Sequence, residues 1–240
     1  MNAGFWQPAG VIERFQQSAF DRWWSMPGEW VEERNQRRGG ESGVKLLPPL
    51  KGGQPPLYSK RQVGHVFRSL RHPLGLPTVL REQHALMACE QLGIKVPKRV
   101  FCAARKQQGQ WQALLITEEL SGFVSLDDWY AEHAPTLHAS SRQAILQRLA
   151  QVLRRLHQSR RQHGCLYSKH IYISLNTEEP EVALLDLEKS RRRLRRGEAA
   201  QHDLSQLERR RGAMPESDWQ YLLKCYNTSN VELIGANNAS

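Results

Sequence analysis

The stretch that most constrains this chain is His163-Gly164-Cys165-Leu166-Tyr167-Ser168-Lys169-His170-Ile171-Tyr172-Ile173, followed by Leu184-Leu185-Asp186-Leu187-Glu188. The first part is a polar, histidine-bearing loop that runs into a β-rich segment. The second is an apolar strand that stops at an acid. Ile171–Leu175 and Val182–Leu185 predict two short strands joined by Asn176-Thr177-Glu178-Glu179-Pro180. A hairpin of this kind turns the chain back on itself. It brings Asp186 to the loop that holds Cys165, 21 residues earlier. An acid at the end of a buried strand either faces a cleft, where it can hold Mg²⁺, or is a turn acid.

At 240 residues, with 40% hydrophobic and 24% charged side chains, the chain is long enough for one domain of two lobes or two small domains. No apolar run approaches the roughly 20 residues that span a bilayer, and the first residues do not read as a secretory signal. The four cysteines, Cys89, Cys102, Cys165 and Cys225, are far apart with no CxxC. That pattern predicts reduced thiols in a cytosolic compartment. The formal charge of +10 is concentrated in Arg191-Arg192-Arg193-Leu194-Arg195-Arg196 and Arg209-Arg210-Arg211. It suits an anionic partner such as a nucleotide, a phosphorylated glycolipid or a membrane surface, or it is a solvated face. Nucleic acid is the weaker partner, because no nucleic-acid-binding signature accompanies the arginines.

Phe5, Trp6, Phe15, Phe20, Trp23, Trp24 and Trp30 crowd the first thirty residues. They form either a membrane-surface helix or one face of a core. Three strands are expected next, starting at Trp30, at Val44–Leu50 and at Leu57–Val63. The glycine-bearing segment 37–43 reads as the first turn, and 64–76 reads as a loop. Thr78–Leu92 predicts a helix closed by Gly93, with Pro77 in its first turn. Val100–Ala104 and Trp111–Glu118 predict a hairpin, and Ser125 an N-cap. Ile145, Leu149, Val152 and Leu156 predict a long helix over 140–158. Helices are expected around 198–210 and over Glu216–Tyr226, with a disordered tail over 229–240.

Lys60 lies inside the third strand, on a face with Tyr58 and Gln62. Glu82 interrupts the apolar stripe Val79, Leu86, Cys89. A carboxylate on a buried face is costly unless paired, and a strand lysine upstream is a natural partner. Otherwise Glu82 sits solvated at the stripe's edge and Lys60 is exposed. Gly39, Gly40 and Gly43 either let backbone amides approach phosphates or simply make a turn. His163 and His170 with Cys165 and Asp186 are also candidates for a zinc site, and Cys165 with either histidine for a nucleophile pair.

Taken together, RNQRRGGESGV, LYSKRQ, HPLGLPTVLREQ, LLITEELSGFVSLDDW, HGCLYSKHIYI and LLDLEKS resemble the lipopolysaccharide kinase family, the Kdo and heptose kinases of Gram-negative bacteria, and within it the InaA-like branch. The resemblance implies an α+β, protein-kinase-like bilobal fold. Its N-terminal lobe would be an antiparallel sheet with one helix over 30–119, and its C-terminal lobe mainly helical over 120–228, with 1–29 as an aromatic-rich extension. It implies ATP and Mg²⁺ as cofactors. Lys60 would contact phosphates and Glu82 would hold it. Gly39, Gly40 and Gly43 would approach the nucleotide, and Thr117–Leu120, with Glu118 and Leu120, would lie near adenine. Asp186 and His170 would bind metal, Asp203 would brace the catalytic loop, and Lys169 would sit in the catalytic loop. The partner would be lipopolysaccharide or another anionic envelope glycolipid, met at the cytoplasmic side of the inner membrane, with a peripheral membrane contact. The chain departs from the family at Cys165, where family kinases place an aspartate that takes the acceptor's proton. A thiolate would replace it only with a pKa depressed by Lys169 or His163. The outcome is a slow kinase, a kinase with a base from elsewhere, or an ATP-binding pseudokinase.

Overall fold

The computed structural model describes residues 11–37, 40–69, 72–175 and 180–228. It is an α+β structure, and the chain divides into two compact units. The first comprises Met1–Gln83 and Lys98–Glu119, and the second His84–Pro97 and Leu120–Ser240.

The first unit begins with helix α1 (Val11–Ser25), followed by strands β1 (Glu29–Arg37), β2 (Gly40–Leu47) and β3 (Leu57–Val63). A hairpin of β4 (Val66–Ser69) and β5 (His72–Pro77) leads into helix α2 (Thr78–Gln91), whose later turns belong to the second unit. Strands β6 (Arg99–Gln107) and β7 (Gln110–Glu118) complete an antiparallel sheet of order β1-β2-β3-β7-β6. Alternation along β3 sorts its side chains: Leu57, Ser59 and Arg61 are buried on one face, and Lys60 and Gln62 lie on the other. The first of these faces is covered by α1. Phe20 and Trp23 pack with Leu47, Leu57, Leu114 and Ile116 as a core cluster, and Trp24 stacks on Phe20. Arg61 fixes the helix in place. Its guanidinium donates to the Trp23 and Met26 carbonyls at 3.2 and 3.0 Å, groups that the end of α1 leaves without helical partners. The aromatic cluster is therefore core at Phe20 and Trp23. Phe5 and Trp6 lie outside the described residues, as does the tail over 229–240.

Two expectations need correction. Segment 37–43 is not one turn, because β1 reaches Arg37 and β2 starts at Gly40. Gly40 is a strand residue because the sheet needs it bare: a Cβ there would stand 2.5 Å from the backbone of Gly64 and His65. Segment 64–76 is not a loop, because Val66 pairs with Pro77 and Phe67 with Leu76. Its proline and glycines hid the alternation. Gly75, at φ +84°, takes up backbone geometry other residues avoid. Pro77 accordingly ends β5, and the helix starts at Thr78.

The second unit is mainly helical. The end of α2 is closed by Gly93 at φ +64°. Strand β8 (Phe123–Ser125) is followed by the single turn α3 (Leu126–Asp128), whose N-cap Ser125 accepts from the Asp128 amide. The long helix α4 (Ala139–Gln158) buries Ile145, Leu149, Val152 and Leu156, the periodic set in the sequence. Strand β9 (Arg161–Gln162) precedes the histidine loop. Strands β10 (Ile171–Ser174) and β11 (Val182–Leu184) form the expected hairpin, with β10 also pairing β8. Strand β12 (Arg191–Arg192) returns to β9, and helices α5 (Arg196–Arg209) and α6 (Glu216–Thr228) pack on α4.

Candidate functional site

In the first unit, the site grows from β3 and the start of α2. Lys60 Nζ lies 2.8 Å from Glu82 Oε2, and both side chains are largely shielded from water. Glu82 is 8% exposed, so the apolar stripe does carry a buried acid and the lysine neutralises it. Gln62 sets the register between the two elements. Its side-chain oxygen accepts from Thr78 Oγ1 at 2.9 Å and from the Val79 amide at 3.1 Å. It thereby caps the helix that bears Glu82 from two residues beyond Lys60. His65 Nδ1 meets the same Thr78 hydroxyl at 3.0 Å. Neither Gln62 nor His65 had a signal in the sequence, because their partners lie 17 and 13 residues away.

The other nucleotide candidates of this unit are dispersed. Gly40 and Gly43 lie within β2, where Gly43 pairs with Arg61. Gly39 lies outside the described residues. Glu118 ends β7. Its carboxylate meets Lys98 Nζ at 2.8 Å, and its amide donates to the Lys98 carbonyl. The chain leaves the first unit after Glu119. Leu120, in the second, accepts from the Phe123 amide.

In the second unit the histidine loop is held from behind by a buried acid, Asp203 of α5. Its Oδ2 accepts from the His163 amide at 2.5 Å and its Oδ1 from the Gly164 amide at 3.0 Å. His157 Nε2 and His202 Nδ1 reach the same carboxylate at 3.2 and 3.1 Å. Burial works against this charge, but the His157 and backbone hydrogen bonds outweigh it and hold the Asp203 carboxyl below the usual range. Gly164 is required where it stands. Its φ is +90°, and a Cβ would fall 2.5 Å from the Lys189 carbonyl oxygen. Leu166 is tied to Gln206 Oε1 through its amide at 3.1 Å.

Both histidines of the loop are spent on the backbone of Cys165. The Cys165 amide donates to His163 Nδ1 at 3.3 Å, and His170 Nδ1 lies 2.7 Å from the Cys165 carbonyl. His163 is fully buried, and burial pushes its imidazole down to about 4, so it is uncharged at neutral pH. It supplies no cation to a thiolate. Lys169, on the 3₁₀ turn Ser168–His170, is exposed. The Cys165 side chain itself is buried, with 4% exposure. The nucleophile-pair reading loses its support, because these ring nitrogens orient the main chain.

His170 also reaches the strand-end acid, its Nε2 3.6 Å from Asp186 Oδ2. Asp186 has φ 54° and ψ 58°, a left-handed conformation that a non-glycine residue adopts at a cost of order 1–3 kcal/mol. Its carboxylate is 38% exposed. A carbonyl only accepts, so His170 Nδ1 carries the proton that joins it to Cys165. Nε2 then turns a lone pair toward a carboxylate. Two acceptors face each other unless a second proton or a cation lies with them. The Asp186 carboxylate suits a divalent ion that keeps waters and takes further oxygens from phosphates, as Mg²⁺ does, whereas the His170 imidazole is a softer ligand than that ion prefers. Among the described residues, no group of three or more His, Cys, Asp or Glu side chains is placed to hold a metal alone, the arrangement a closed zinc site needs.

The model of the lipopolysaccharide kinase (Kdo/WaaP) family matches residues 21–226. Protein InaA of Escherichia coli (strain K12) is 45% identical over 208 residues, covering 86% of this chain and 94% of that protein. Among solved structures, WaaP in complex with acyl carrier protein superposes with a TM-score of 0.65 at 16% identity, over 90% of this chain and 86% of that one. The last match establishes the fold alone, a protein-kinase-like one.

Proposed function

Because this chain belongs to the lipopolysaccharide kinase (Kdo/WaaP) family, we propose that it is an ATP- and Mg²⁺-dependent phosphotransferase acting on a sugar hydroxyl of lipopolysaccharide or a related envelope component. The observation that carries this reading is the shielded Lys60–Glu82 pair at 2.8 Å. A lysine held by a glutamate in this way is a fixed positive charge for nucleotide phosphates. Mg·ATP, when bound, supplies the phosphoryl group and the divalent charge that offsets its oxygens. Asp186 and His170 would hold the metal. Asp203 and Gly164 keep the loop between His163 and His170 in shape for the acceptor.

Cys165 favours a second reading, a nucleotide-binding protein with weak or no transfer activity and a stress-response or scaffolding role. A general base contributes about 10²–10⁴-fold, and the thiol is buried beside an uncharged His163. Phosphoryl transfer depends chiefly on positioning and charge neutralisation, so loss of the base lowers the rate without abolishing the chemistry. In this reading and the first, the protein works in the cytoplasm. No helix of the described residues is long and apolar enough to cross a membrane.

Calorimetry with Mg·ATP and a transfer assay on dephosphorylated lipopolysaccharide, for wild type, Asp186→Ala and Cys165→Asp, test both readings. Binding with slow transfer, abolished in Asp186→Ala, supports the kinase. Binding without transfer, with activity appearing in Cys165→Asp, supports the second reading. No binding of Mg·ATP by the wild type sinks the two together.

A further inference from the structure

With cysteine at position 165, an acceptor hydroxyl needs another partner in the histidine loop, and few side chains there can serve. The Cys165 thiol is buried, with 4% exposure, and Leu166 is apolar. Ser168 is buried and its hydroxyl is spent, donating to the Arg210 carbonyl at 2.6 Å. Lys169 is exposed, but an ammonium only donates and cannot accept the hydrogen of an alcohol. From Cys165 to Lys169 this leaves Tyr167, half-buried, whose hydroxyl makes no hydrogen bond among the described residues. Its ring is held in place. It stacks on the His170 imidazole, with centroids 5.2 Å apart and planes 28° from parallel, and the Arg210 guanidinium lies 5.9 Å from its centre. Arg210 is tied to the loop in turn, its carbonyl accepting from the Ser168 amide at 3.1 Å as well as from the Ser168 hydroxyl. His170 is the imidazole that faces Asp186 at 3.6 Å. The unspent side-chain oxygen of this stretch is thus fixed beside the residue that borders the strand-end acid.

We propose that Tyr167 is the residue that receives the acceptor: its phenolic oxygen accepts the hydrogen of the attacking sugar hydroxyl and turns that oxygen toward the γ-phosphorus of ATP. The inference rests on the phosphotransferase reading and names the group that orients the acceptor within it. Tyr167 takes no proton. The bond from the acceptor oxygen to phosphorus forms as the bond from phosphorus to the bridging oxygen breaks. ADP leaves with that electron pair, and the acceptor's proton passes to solvent water. A loose transition state asks chiefly for position and charge neutralisation, so a hydrogen bond that fixes the attacking oxygen contributes even where no base stands beside it.

The test is steady-state transfer from Mg·ATP to dephosphorylated lipopolysaccharide by the full chain, as wild type, Tyr167→Phe, Cys165→Asp and the double variant. Phenylalanine keeps the ring and its stack and removes only the hydroxyl. Tyr167→Phe is expected to lower kcat/KM for the acceptor by about tenfold, the worth of one hydrogen bond. Mg·ATP affinity by calorimetry and the thermal melt are expected to stay at wild-type values, which a merely structural or nucleotide-binding role would not leave untouched. In the Cys165→Asp background the loss is expected to be smaller, because an aspartate there shares the same hydroxyl and the two changes are then not additive. Wild-type kcat/KM in Tyr167→Phe overturns the proposal, as does an equal loss in both backgrounds or a parallel loss of Mg·ATP affinity. Absence of transfer by the wild type overturns it too. Transfer by Cys165→Asp would then keep the phosphotransferase frame standing, and transfer by neither, with Mg·ATP bound, would remove the kinase reading as well.

Discussion

His170 holds the Cys165 carbonyl with one ring nitrogen, at 2.7 Å, and faces the Asp186 carboxylate with the other, at 3.6 Å. One imidazole therefore couples the loop that would receive an acceptor to the acid that would hold a metal. Mn²⁺, a spectroscopic substitute for Mg²⁺, tests the pair. With nucleotide present, Asp186→Asn should abolish Mn²⁺ binding measured by electron paramagnetic resonance. His170→Ala should weaken it by at least about tenfold, since lost outer contacts alone cost 10–100-fold. Unchanged Mn²⁺ affinity in both variants would remove these residues from the metal site.

Glu82→Gln should weaken Mg·ATP binding by about tenfold, near 1.4 kcal/mol, through Lys60, which would lose its charged partner at 2.8 Å. Lys60→Met should weaken it by at least as much. Calorimetry reads both. If Glu82→Gln binds as tightly as wild type, the glutamate does not position the lysine.

Cys165→Asp should raise the rate of phosphate transfer by about 10²–10⁴-fold while leaving the affinity for Mg·ATP unchanged. The backbone contacts of residue 165 with His163 and His170 do not involve its side chain. A rate that stays at the wild-type level would show that the acceptor's proton is handled elsewhere or that no acceptor binds.

Stability should fall with acid in a way traceable to His163. Its folded-state pKa, about 4, lies below the ordinary value of 6.5. The unfolded chain therefore takes up a proton first as pH drops. The stabilising contribution is whole above about pH 6.5 and is lost progressively down to about pH 4. Between pH 7 and pH 5 the loss is about 2 kcal/mol. Urea titrations of wild type and His163→Asn at the two pH values should show that difference in the wild type alone.

Gly164→Ala should destabilise the second unit by about 2 kcal/mol or more, because it combines a positive φ with a Cβ 2.5 Å from the Lys189 carbonyl oxygen. Asp203→Ala should cost more, about 3–5 kcal/mol, by leaving buried amides and His157 without their acceptor. Thermal melts are the measurement. A Gly164→Ala protein that melts with the wild type would mean the loop has room that its backbone geometry denies.

Periodicity carried most of the secondary structure: α4 follows its four apolar positions, and the β10–β11 hairpin lies where two short apolar runs flank a polar link. The Lys60–Glu82 pair was legible for a physical reason, that an acid in an apolar stripe needs a cation. The cover that α1 lays over the sheet was not. Clustered aromatics fit both a core and, less well, a membrane face until Arg61, 38 residues from Trp23, is seen to tie the helix down. The β4–β5 hairpin was hidden by His72, Pro73 and Gly75, residues that advertise a loop. The contacts that hold the histidine loop from behind join residues about forty positions apart, a distance at which no local pattern speaks; Asp203 was reached only through the family resemblance, and Gln206 not at all.

The loop around residue 165 is gripped by its amide, its carbonyl and the acid behind it, all main-chain or remote attachments. Position 165 is therefore a socket whose shape outlasts its occupant. The contacts that shape the frame do not use the side chain at 165, so the frame and the base are set by different residues. In such a design, having the architecture of a phosphotransferase and being one are decided at separate places in the sequence.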